Sequence, residues 1–246
     1  MAIYKQEKLH KDSRVKILCD KEELIDIAFN ELISQRKVIE DYIKNNPEFE
    51  TSLKPIENDP NSPNIIKEMI SASKNSGTGP MAAVAGLLAE KACKKISNKC
   101  ETVIVENGGD IFISTKNTVI IGLFSGKEHS LNKLAFRITP EITPLAICSS
   151  SGKMGHSLSF GEADVATVFS KSAALADCVA TNLANKIKTQ QDLDPALEWA
   201  NTIEGIIGAI AVKNERIGMI GTLPELIKHS DEKLKEKVTK DPIYNL

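Results

Sequence analysis

Asp177 and Thr181 stand one turn apart in a run of small and apolar residues from Ser172 to Asn185, and Asn185 continues their stripe. A carboxylate beside a hydroxyl offers oxygen ligands to a hard cation such as Mg²⁺, which keeps waters and binds phosphates as well. Because the rest of this helix is small or apolar, most of its surface should be buried, and a buried carboxylate needs a partner. The same stripe is also compatible with a narrow solvent-facing strip, or with an Asp held by a backbone turn or a lysine.

Three further segments could meet that helix. Ser76-Gly77-Thr78-Gly79-Pro80 starts a helix at Met81, and the free amides of such a start favour a phosphate or a carboxylate. Small residues through Gly86 would let another backbone approach closely. Asn107-Gly108-Gly109-Asp110 lies between two β-type runs, where Asn-Gly signals a tight hairpin. The alternative use of its two glycines is to bare the backbone for a nucleotide. Cys148-Ser149-Ser150-Ser151-Gly152 reads as a polar loop leading to His156. The Gly155–Ser159 stretch lacks the closing glycine of a nucleophile elbow, so a serine hydrolase is not supported.

The elements that must position these residues follow from periodicity. Ile3 to Leu18 reads as two short strands, and Asp20–Glu23 as a capping-box variant before an amphipathic helix that stops by Pro47. Residues 47–64, with four prolines, read as an irregular connection, followed by helices at 65–73 and 81–96. Strands are expected at 102–106, 111–114, 119–124, 134–138, 163–170, 208–212 and 217–220. Helices are expected at 172–187 and 195–203, with a charged helix from Pro224. Short polar turns at 107–110, 115–118 and 213–216 predict antiparallel sheets. The fold class is α+β: two tandem antiparallel-sheet units, each covered on one face by helices. We read one domain over 1–246, with 1–100 and 101–246 as its two halves, although no sequence repeat links them.

Composition narrows the function. A formal net charge of −2 and an aromatic content of 4% give no basis for nucleic-acid binding. No window approaches the ~20 apolar residues of a membrane span, and the N-terminus has no signal-peptide core, so a cytoplasmic protein is expected. The five cysteines are odd in number and form no C-x-x-C pair, which predicts reduced, buried thiols rather than disulfides or a zinc ribbon. A homodimer is the simplest assembly.

Taken in order, the segments from about residue 77 to 187 resemble the ApbE superfamily, the FAD:protein FMN transferases. The family's N-x-G-G-D turn is matched by Asn107, Gly108, Gly109 and Asp110, with one residue fewer after the Asn. Its T-S-G segment and following His resemble Ser150-Ser151-Gly152 and His156. Its A-D-x-x-x-T helix is matched by Ala176, Asp177 and Thr181. The resemblance implies an ApbE-like, T-fold-like pair of antiparallel α+β units, and it points to a divergent branch known mainly from anaerobic microbes. It places Asp177 and Thr181 on Mg²⁺ and His156 near the pyrophosphate of FAD, with Asp177 and His156 as catalytic residues. Gly77, Gly79, the 107–110 turn and Ser150–Gly152 would then line the nucleotide. The chain departs from the family pattern in lacking the Asp-Pro and Thr-Gly that follow the His. It also has no acidic residue in the glycine-led helix before Glu90. Three functions are therefore expected to compete. They are a Mg²⁺-dependent transferase or hydrolase acting on FAD, a flavin- or nucleotide-binding module, and an accessory protein of sulfur metabolism using Cys148 and Cys178.

Overall fold

The computed structural model describes residues 2–11, 13–57, 59–122, 134–152 and 161–228. Strands β1 (Tyr4–His10) and β2 (Ser13–Cys19) form the first hairpin, and α1 (Ile25–Asn45) follows. Its buried Ile25, Ala28, Leu32 and Ile39 recur at helical spacing. Asp20 does not cap this helix. Its Oδ1 accepts the Glu101 and Thr102 amides at 2.9 and 3.0 Å, which ties the end of β2 to the start of the next strand. The proline-rich connection holds a single helical turn, α2 (Glu48–Thr51), because Phe49 buries fully against the edge of Tyr42. Then come α3 (Asn64–Ser76), a 3-10 turn at Pro80–Ala83 and α4 (Val84–Ser97).

The remaining strands are β3 (Thr102–Asn107), β4 (Asp110–Thr115), β5 (Val119–Gly122), β6 (Leu134–Ile138), β7 (Leu145–Ser150) and β8 (Val165–Ser170). Helices α5 (Ala173–Lys186) and α6 (Leu193–Asn201) precede β9 (Ile206–Lys213), β10 (Arg216–Gly221) and β11 (Glu225–Lys228). One sheet runs β1-β2-β3-β4-β7-β8-β9-β10 and a smaller one runs β11-β6-β5. Every pairing is antiparallel. The large sheet repeats one plan: two strands, helices, two strands, with β4 and β7 meeting where Ile111 pairs with Ile147. This is the expected α+β class.

Three local expectations change. Residues 115–118 do not close a hairpin; they carry the chain from the large sheet to the small one. The small sheet covers the face opposite the helices, where Phe136 packs edge-on against Phe169 with Ile113, Ile147 and Ile210 nearby. Cys148, Ser149 and Ser150 form the end of β7 rather than a loop, because β8 pairs with all three and the Asp110 side chain takes the Ser149 amide on the other side. After Pro224 the chain adds β11 beside β6 instead of starting a helix.

Candidate functional site

Gly108 and Gly109 have φ of 64° and 103°, and the space where their Cβ atoms would stand is open. The backbone twist of a two-residue hairpin, not crowding, selects glycine here. The turn sets Asn107 opposite Asp110, on the same face of the sheet as Val105 and Phe112, toward the helices. Asn107 Nδ2 donates to the Ala85 carbonyl at 3.1 Å.

Asp177 approaches the same place from α5. Its Oδ2 accepts the Gly86 amide at 2.8 Å, and the Ala85 amide donates to it too. Both amides belong to the first turn of α4, where backbone donors lack intrahelical partners. The anion at this helix start is therefore a side chain of the protein. The approach requires Gly86: a Cβ there would stand 2.8 Å from the Ala173 carbonyl, 3.0 Å from Cys148 Sγ and 3.1 Å from Asp177 Cβ. The contact is answered in reverse. Glu90, one turn beyond Gly86, accepts the Ala173 amide at 2.7 Å, and Ala173 stands one turn before Asp177.

Asp110 lies beside Asp177. Its Oδ1 accepts the Ser149 amide at 3.1 Å, and Cys148, whose thiol donates to the Ala173 carbonyl at 3.6 Å, lies close to it. Burial pushes the carboxyl of Asp110 well above the usual range, and the nearby Asp177 pushes it further. Burial likewise raises Asp177, to about 7, although the Gly86 and Ala85 amides pull it back. Among the described residues no cationic side chain pairs with either carboxylate, and no group of three or more His, Cys, Asp and Glu forms a metal cluster. Thr181 is 9% exposed, one turn past Asp177. Ser150 shares the Cys148 face of β7, and its Oγ is buried without a hydrogen-bond partner among the described residues.

The other expected residues are placed as follows. Gly77, at φ 74°, ends α3, with its amide on the Ser73 carbonyl. Gly79 packs against the Ser52 carbonyl. Ser151 follows β7, and the Gly152 amide donates to Ala163 at 3.0 Å. His156 lies outside the described residues. All five cysteines are free and buried. Cys178 sits near the Ser76 and Thr78 hydroxyls, and burial raises its thiol to about 12; burial raises that of Cys148 too. A polar depression of about 540 Å³ touching Glu162, Lys188 and Lys213 contains none of the site residues, and Lys213 is already bonded to Glu162. Sequence reasoning missed Glu90 as part of the assembly. The signal available was a carboxylate on the apolar face of α4, four residues after Gly86.

These features define an ApbE-like α+β protein with a buried carboxylate pair. The chain belongs to the family described as AbpE bacteria, which matches residues 6–211. Relatives named UPF0280 protein match most of this chain and most of their own length. That of Archaeoglobus fulgidus is 40% identical over 225 residues, covering 88% of this chain and 91% of the relative. That of Methanococcus aeolicus is 36% identical over 228 residues, covering 91% and 92%. Among solved structures, the apo flavinyl transferase ApbE of Pseudomonas stutzeri matches with a TM-score of 0.54 at 9% identity, over 90% of this chain and 95% of that one. The ApbE protein of Thermotoga maritima matches with 0.54 at 10%, over 97% and 100%. At such identity these two likenesses speak for the fold. No helix among the described residues is long and apolar enough to cross a membrane.

Proposed function

We propose that the protein binds a divalent cation at Asp177 and Asp110 and uses it to hold the pyrophosphate of a nucleotide, FAD being the first candidate. One observation carries this reading: two buried carboxylates stand near enough for Asp177 to raise Asp110, and no side chain among the described residues neutralises either. Burying two like charges without a counter-charge is costly, and a bound cation removes that cost. The donors suit Mg²⁺, since carboxylate oxygens with the Thr181 hydroxyl leave room for water and phosphate oxygens. When bound, such a cation supplies charge neutralisation for a leaving phosphate. Asp177 would hold it while remaining anchored on α4 through Oδ2, Asp110 would balance its charge, and the Ser150 hydroxyl, without a partner among the described residues, would donate to the ligand. The name flavinyl transferase borne by a structural neighbour suggests FMN transfer from FAD with release of AMP. A binding module without turnover is the second reading, because neither Asp is shown to touch a reacting atom. The sulfur reading draws no support from Cys148 and Cys178, whose raised thiols disfavour the reactive thiolate.

The test is to incubate wild type and Asp177→Asn with FAD and MgCl₂, recording thermal shift and AMP. AMP made by wild type alone supports the transferase or hydrolase. A Mg²⁺-dependent shift without AMP, lost in Asp177→Asn, supports the binding module. An equal shift in both proteins overturns the role of Asp177.

A further inference from the structure

We infer that Glu90 is a positioning residue for the Asp177 site, an inference that rests on the cation reading above. Helix α5 already has a cap of its own, since Ser172 Oγ accepts the Leu175 amide. The Ala173 amide would ordinarily face water at such a helix start. Instead it donates at 2.7 Å to Glu90 Oε2, a carboxylate only 5% exposed and brought from another helix. Stability alone gives weak reason to bury a charge there, because desolvation offsets much of the gain. Geometry gives a better one. Ala173 precedes Asp177 by four residues and Gly86 precedes Glu90 by four, so the two cross-helix bonds form a closed pair that fixes the sliding of α5 along α4. Gly86 lets the two helices approach so closely that a Cβ at residue 86 would stand 2.8 Å from the Ala173 carbonyl. Glu90 thus sets where the Asp177 carboxylate stands relative to Asp110, without touching the ligand. Lys94 Nζ, 2.5 Å from Glu90 Oε1, neutralises Glu90 and leaves the Ala173 bond to the other oxygen.

The probe is Mn²⁺ alone, titrated into the full-length protein and followed by electron paramagnetic resonance. Glu90→Ala should weaken Mn²⁺ about tenfold or more, in line with losses of residues that orient metal ligands. Glu90→Gln keeps an acceptor for the Ala173 amide and should retain most of the affinity. Lys94→Ala removes the ion pair but not that bond, and should bind as wild type does. Ala173→Pro removes the donor from the other side, and proline suits a first helical position. It should match Glu90→Ala, and it decides the matter if Glu90→Ala fails to fold. Wild-type affinity in Ala173→Pro, or an equal loss in Lys94→Ala, overturns the positioning role and leaves the cation site standing. Absence of Mn²⁺ binding in wild type, or full binding in Asp177→Asn, overturns the cation reading and this inference together.

Discussion

At one end of the α4–α5 crossing, Glu90 accepts an amide of α5 and is neutralised by Lys94, whose ammonium also lies 5.6 Å from the centre of the Phe112 ring. At the other end, Asp177 accepts an amide of α4 and meets a second carboxylate, Asp110, in place of a cation. Each end sets a carboxylate on a backbone amide of the facing helix; the charge balance differs. A structural crossing needs only the first arrangement. The second leaves two carboxylates without a counter-charge among the described residues, and that asymmetry separates a scaffold contact from a candidate site.

The largest effect should come from the residue both ends share. Gly86→Ala puts a Cβ within 3.1 Å of three atoms on two neighbouring elements, one of them a backbone oxygen. Such overpacking costs typically 1–3 kcal/mol, about the range expected here. Urea unfolding would measure it, and Gly86→Ala should also weaken the cation-induced stabilisation, because α5 must move away. A variant as stable as the parent, with its cation response intact, would show that the crossing is looser than its contacts imply.

A smaller effect distinguishes the ends by pH. The carboxyl of Asp177 is raised to about 7 in the folded protein, chiefly by burial. Its contribution is therefore fully present below the unfolded carboxylate value, near 4, and is lost as pH rises through about 7. The cation-free protein should lose stability between about pH 4 and pH 7, by up to about 1.4 kcal/mol per pH unit for each proton released. Asp177→Asn should flatten that slope, and Mg²⁺ should restore stability at the alkaline end. Melting temperatures across the range would check it; an unchanged slope in Asp177→Asn would assign the effect to other groups.

Much of this was legible from local patterns. The 2-residue period gave most strands, Asn-Gly-Gly-Asp gave the hairpin, and the small-residue helix marked Asp177 as buried. Strand β7 was not legible, because Leu145-Ala-Ile-Cys-Ser-Ser150 has no alternation and owes its conformation to partners 35 residues upstream and 20 downstream, roughly, in the chain. Asp20 shows the limit from the other side: it carried the right residue type for a helix cap, but two distant amides, Glu101 and Thr102, compete for it and win. Pairing of Glu90 with Ala173 crosses 83 residues. No local period encodes such a contact, so the reciprocal bonds, and with them the contrast between the two ends, became visible only in three dimensions.

The smallest expected effect tests whether the hairpin belongs to the Asp177 end alone. Residue 85 is held twice: its amide donates to Asp177, and its carbonyl accepts from Asn107. Asn107→Ala cuts the second tie and leaves the first. The carbonyl keeps its place in the helical ladder, so the loss should be that of one ordinary hydrogen bond, about 1 kcal/mol. Hydrogen exchange would locate it. The amides of Ala85 and Gly86 should exchange faster, because the first turn of α4 has lost its tether to the sheet. The Ala173 amide should stay protected, since its acceptor, Glu90, sits a full turn further along α4 and is anchored by Lys94. Equal loss of protection at Gly86 and Ala173 would mean that the crossing opens as one unit, and the distinction between a scaffold end and a site end would then rest on charge alone.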